Sequence, residues 1–102
     1  MEKSDILHQY HNYCCKYKKL YGKNTVVLIE IGHFYEIYYY EKENLGEPDI
    51  HYLYDDVLNM ENIGVKRNKN YEYLMAGFPT ISKEKYFGYL LERGYTTVLI
   101  EQ

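Results

Sequence analysis

The stretch Thr25-Val26-Val27-Leu28-Ile29-Glu30-Ile31 restricts the fold most. It is rich in β-branched side chains and nearly all apolar, so it reads as a central strand buried on both faces rather than a half-exposed one. Gly32-His33 then breaks the run as a turn or bulge, and Phe34 to Tyr40 reads as a second strand, rich in aromatics.

The remaining segments alternate with these strands. Residues 5–21 have helical spacing at Ile6, Tyr10, Tyr13, Tyr17 and Leu20, with Ser4 or Asp5 as cap and Gly22 as stop. Glu41 to Pro48 reads as a polar loop. Residues 49–60 predict a helix with Ile50, Leu53, Val57 and Leu58 on one side, Asn62 to Arg67 a short strand, and Asn68-Lys69-Asn70 a turn. Tyr73 to Ala76 predicts another short strand, ended by Gly77-Phe78-Pro79. Ser82 is placed to cap a helix reaching Arg93, with Tyr86, Phe87, Leu90 and Leu91 facing inward and Gly94 as stop. Tyr95 to Glu101 closes as an apolar strand. Strands alternating with helices imply a single α/β domain over residues 1–102: a mixed sheet with about three flanking helices.

Composition narrows the function classes. A chain of 102 residues, 46% hydrophobic and 26% charged, suits one folded domain. No apolar run is long enough for a membrane span, and Met1 to Asp5 lacks the apolar stretch of a secretory signal. Cys14 and Cys15 are neighbours, about 100° apart on a helix and poorly placed to bridge. The expectation is an intracellular protein with no membrane partner. A net charge of −3 argues against strong autonomous binding to a polyanion, though not against a reader held on DNA by other domains. The fifteen tyrosines share AT-rich codons with the abundant Lys, Asn and Ile, so base composition accounts for them more readily than a base-stacking platform.

Ile31-Gly32-His33-Phe34-Tyr35-Glu36-Ile37-Tyr38 resembles the signature of domain I of the MutS mismatch repair family: a glycine, a variable residue, then Phe-Tyr-Glu and an apolar residue. Leu74 to Pro79 resembles the family's Met-Ala-Gly-apolar-Pro, Tyr86 to Gly94 its following helix, and Val98 to Gln102 the strand that ends in Glu-Gln. Val65-Lys66-Arg67 falls where the family has a short strand before a basic turn. These segments run in register from residue 31 to residue 102, a far more specific signal than Phe-x-Glu alone. His33 stands where bacterial members usually have Asp, and Thr80-Ile81 where they have Tyr-His.

The resemblance implies binding to double-stranded DNA carrying mismatches or small loops, with Phe34 and Glu36 as the probe. Two residues apart on a strand, they share a face, roughly 6–7 Å apart, with Tyr35 and Ile37 turned to the core. An apolar ring wedged into a base stack costs least where pairing is already defective. A carboxylate is repelled by intact duplex and tolerated where a displaced base offers a hydrogen bond or where the carboxyl carries a proton, so it penalises the wrong partner. The same pattern also fits an ordinary half-buried strand. His33, Lys66, Arg67 and Lys69 are candidate backbone contacts, as is the Lys16, Lys18, Lys19, Lys23 cluster, although such runs are more often solvated faces. In the family the ATPase and the clamp that grips DNA lie on other domains of a longer chain, so they are expected partners in cis or in trans, and no cofactor is expected in this domain.

Other chemistry is thinly represented. His8, His11 and Cys15 have helical spacing, but no fourth metal ligand is evident. Asp55 and Asp56 are adjacent and diverge on a helix. Phosphate-binding loop, serine elbow, Cys-His nucleophile pair and acidic-x-Lys nuclease triplet are all missing, so no catalytic residue is expected. The competing readings are a protein-docking module that keeps the fold without reading DNA and, more remotely, a small nuclease.

Overall fold

A computed structural model describes residues 3–58, 65–69 and 71–101, with side chains from residue 5 onward. Helix α1 (Lys3–Tyr21) leads through Gly22 into β1 (Thr25–Ile31) and β2 (Phe34–Tyr40). Next come β3 (Leu45–Gly46), α2 (Ile50–Tyr52) with a π-helical continuation (Leu53–Val57), β4 (Lys66–Arg67), β5 (Leu74–Pro79), a 3-10 turn (Thr80–Ser82), α3 (Lys83–Glu92) and β6 (Thr96–Ile100). The described residues form one six-stranded sheet in the order β4-β5-β2-β1-β6, with β3 paired to β2. All pairings are antiparallel except β1 with β6. This is the mixed α/β architecture that the alternation of strands and helices predicts.

The sheet is central because β1 is apolar on both faces. Thr25 to Ile29 are all buried, as a strand covered from both sides requires. Strands β2 and β5 are two-faced instead, and their register fixes which side chains share a side. Tyr35 lies opposite Phe78 and Ile37 opposite Ala76, all four buried. On this side α3 packs its aromatics, with ring centroids 5.8 Å apart for Tyr35–Phe87 and 4.7 Å for Phe78–Tyr86. On the other side α1 lays Tyr10 edge-on against Tyr38 at 5.4 Å, and the Tyr10 hydroxyl donates to the Val27 carbonyl at 2.8 Å. A tilted or edge-to-face pair contributes about 0.5–1.5 kcal/mol beyond its buried area.

Several boundaries differ from expectation. Helix α1 starts before Asp5, which therefore sits in the first turn instead of capping it. Leu20 is exposed, the apolar stripe of α1 ending at Tyr17. The loop from Glu41 to Pro48 contains β3, because Leu45 and Gly46 pair with Tyr40 and Tyr39. Gly77-Phe78-Pro79 does not end the strand but completes it: Gly77 pairs with Glu36 and Pro79 with Phe34. Pro79 is tolerated as the last strand residue, and the next amide, of Thr80, donates to the His33 carbonyl at 2.8 Å.

The helices after the sheet differ too. Ser82 occupies the N-cap position of α3 but makes no capping hydrogen bond, since the 3-10 turn delivers the chain instead. Leu91 is 75% exposed, while Leu90 is fully buried. In the segment 49–60 the amide of Leu58 donates to the carbonyl of Leu53, five residues back. The wider π turn buries Tyr54 alongside Leu53, Val57 and Leu58. The end of that predicted helix (59–60), residues 62–64 of the strand predicted before Arg67, and Asn70 of the predicted turn lie outside the described residues.

Candidate nucleic-acid interface

Gly32 and His33 make a two-residue hairpin turn, closed by the pair Ile31–Phe34. Gly32 carries φ 59° and His33 keeps an ordinary negative φ, the pattern of a type II′ turn whose twist suits a hairpin. Phe34 therefore follows the turn directly, held on one side by Ile31 and on the other by Pro79. Its backbone is paired with two neighbouring strands while the residue is 47% exposed. Few positions can present a large apolar ring to solvent on so rigid a support.

Glu36 is the next residue on the same face, opposite Ile29 on β1 and Gly77 on β5. A Cβ on Gly77 would stand 2.5 Å from the Tyr35 carbonyl oxygen and 3.2 Å from the Glu36 Cγ. Glycine thus lets β5 close against β2 beneath the glutamate. Glu36 is half-buried, and its Oε1 accepts a 2.5 Å hydrogen bond from the Tyr38 hydroxyl. Burial first, then the bond to Glu36, push the ionisation of Tyr38 far above the ordinary tyrosine range. The Tyr73 hydroxyl is raised by burial and by the charge of Glu36.

Two hollows flank this carboxylate. One, of about 180 Å³, lies between Phe34, Glu36, Lys66, Met75 and Gly77, with Tyr54 behind it. The Tyr54 hydroxyl donates to the Gly77 carbonyl at 2.8 Å, tying the π turn to the strand under the site. The second, of about 230 Å³, lies between Glu36, Tyr38, Met75, Tyr73, Ile31 and Ile6. Tyr54, Tyr73, Met75 and Gly77 thus join the site although only the Met-Ala-Gly string was legible in sequence. Tyr54 stands four residues after Ile50 on the face that helical spacing marks, although only Ile50, Leu53, Val57 and Leu58 were read there.

The basic candidates divide. Lys66 lines the first hollow with Phe34 and Glu36, and exposed His33 is adjacent to Phe34. Arg67 is committed elsewhere: Nη2 pairs with Glu41 at 2.8 Å, and Nη1 donates to the Glu72 carbonyl at 2.8 Å. Lys69 is exposed in the turn after β4. Of the α1 cluster, Lys18 is a structural group. Its Nζ lies 2.9 Å from Oε1 of the fully buried Glu47 and donates to the Thr25 carbonyl at 2.9 Å. The Glu47 Oε2 accepts the Asp49 amide at 3.0 Å, so this pair joins α1, β1 and the start of α2.

His11 of α1 is likewise structural. His11 Nδ1 accepts the Gly46 amide at 2.9 Å, and Nε2 faces Cys15 Sγ at 3.4 Å. Among the described residues no three ligating side chains gather to hold a metal. Cys14 and Cys15 are free thiols, the first buried and the second exposed.

The chain matches MutS domain I over residues 7–102. It is 32% identical over 90 residues to a protein of Acanthamoeba polyphaga mimivirus named as a DNA mismatch repair mutS homologue; the matched stretch takes in 85% of this chain and 8% of that relative. No solved structure matches. A family match over nearly the whole chain, on the fold that the family signature implied, decides its membership: the chain belongs to the MutS domain I family of DNA mismatch repair proteins.

Proposed function

We propose that this domain reads mispaired or unpaired bases in duplex DNA, with Phe34 entering the base stack and Glu36 contacting the displaced base. The observation that carries the reading is the exposed Phe34 on a strand pinned from both sides. An intercalating wedge must present apolar surface and must not yield when pushed. Unstacking a step costs a few kcal/mol, and less where a base is already unpaired, so the wedge enters defects first. Glu36, beside it, opposes approach of intact duplex by charge repulsion.

Lys66 and His33 flank the ring and are the first choices for phosphate contacts, with Lys69 at the neighbouring turn; Arg67 would have to leave Glu41 to join them. With a net charge of −3 the domain alone binds weakly. Its working partners are therefore clamp and ATPase domains, in cis or in trans, within a cell. The domain itself supplies binding and no catalytic step or cofactor.

A low-salt NMR titration tests this with a duplex carrying one unpaired thymidine and with its fully paired twin. Shifts concentrated at Gly32 to Tyr38, larger with the defective duplex and lost in Phe34→Ala, are expected. A second reading, a protein-docking module that has kept the fold, is favoured by the negative charge and by exposed Ile81 and Leu91. Equal responses to both duplexes that survive Phe34→Ala would put it first.

A further inference from the structure

Among the described residues, Glu36 and Lys66 are the charged side chains lining the two hollows, the first of which also borders Phe34. A glutamate on a strand ordinarily samples several rotamers, and a probe that samples several must be ordered each time it meets its target. Glu36 is restrained beforehand. It receives the Tyr38 hydroxyl on Oε1 at 2.5 Å, from the residue two along the same strand and therefore on the same face.

Tyr38 is itself packed on both sides. It is 2% exposed, with Tyr10 and Tyr73 each edge-on at 5.4 Å, so its hydroxyl cannot follow the carboxylate to another position. Its raised ionisation keeps it a donor throughout the neutral range.

Resting on the reading of Phe34 and Glu36 as the probe, we propose that Tyr38 is a positioning residue for base recognition. It occupies Oε1 of Glu36 and leaves Oε2 as the acceptor offered to the DNA. A carboxylate oxygen accepts and cannot donate. While the carboxyl is ionised, a single fixed oxygen selects a displaced base that turns an imino or amino N–H toward it, and it repels base carbonyls and ring nitrogens, which are acceptors themselves. Phe34 then supplies entry at any defect, while the Tyr38–Glu36 pair supplies the choice among displaced bases.

The test is Tyr38→Phe, which keeps the ring packing and removes only the donor. It is made in the 102-residue chain alone and in an Glu36→Ala background, with the affinity ratio for the unpaired-thymidine duplex over its paired twin as readout. Loss of prepaid ordering predicts a ratio lower by about three- to tenfold. Affinity for the paired twin should be unchanged, and the effect should vanish in the Glu36→Ala background, because Tyr38 acts only through Glu36. An equal loss in both backgrounds would mark Tyr38 as a packing residue and overturn the proposal, as would a ratio untouched by Tyr38→Phe while Phe34→Ala abolishes it. A wild-type chain with no preference would sink the probe reading itself, and this inference with it. The Tyr38 hydroxyl proton gives a check that does not depend on the Tyr38 variant folding: its NMR resonance should move in Glu36→Ala, and an unmoved resonance would refute the bond.

Discussion

Single residues on this sheet do opposite jobs one position apart. Phe34 and Tyr35 are both aromatic and adjacent, yet one ring is exposed and the other is packed on Phe78 and Phe87, because a strand turns successive side chains to opposite faces. Cys14 and Cys15 divide the same way on α1: burial pushes the Cys14 thiol up to about 12, while Cys15 is exposed. In the native chain a disulfide-exchange reagent should therefore label Cys15 at once and Cys14 only on unfolding; simultaneous labelling of both would contradict the packing of α1. The pH dependence has a definite sign. A thiol whose proton is held more tightly in the folded state adds stability that is complete below its unfolded value of 9.0. That stability is lost as pH rises toward 12, at up to about 1.4 kcal/mol per pH unit for one group. Denaturant midpoints at pH 8 and pH 10.5 should fall less in Cys14→Ala than in wild type.

At the scale of elements, period and turn chemistry made most of the fold legible. Strands β1 and β2 have the predicted limits, since an unbroken apolar run and an alternating aromatic one leave little choice. What escaped were features decided by long-range pairing. Leu45-Gly46 becomes a strand only because β2 offers an open edge, and Gly77-Phe78-Pro79 looks like a strand end until Glu36 and Phe34 are found opposite. The segment 49–60 buries Ile50, Leu53, Val57 and Leu58 as its spacing predicts and adds Tyr54, and what spacing does not announce is the π turn at Leu53–Val57 itself. Gly77 is the position where element packing meets the site. Gly77→Ala would place a Cβ 2.5 Å from the Tyr35 carbonyl oxygen and force β5 away from β2. The expected cost is about 1–3 kcal/mol, read by chemical denaturation, together with a loss of mismatch preference. A cost under about 0.5 kcal/mol, within the range of ordinary surface substitutions, would show that the strands have slack there.

The whole molecule reconciles an acidic composition with a DNA-reading fold. The candidate face was legible at Phe34 and Glu36 from the family signature. Lys18 and Glu47 were not, because a lysine run and a polar loop look solvated until the chain closes and buries the carboxylate beneath α1. Exposed ion pairs such as Arg67–Glu41 and Lys42–Glu72 contribute little to stability, and they consume cations that could otherwise meet phosphate. On the proposed reading, affinity is left to other domains and discrimination to the tip of β2. The most direct measurement is an isotope-filtered NOE experiment on the labelled domain, at saturation with an unlabelled duplex carrying one unpaired thymidine. Contacts from the Phe34 ring protons to base protons on both sides of the unpaired position, absent with the paired twin, are the predicted result. A saturated complex in which the Phe34 ring contacts no base would contradict the wedge and return this strand to an ordinary half-buried one.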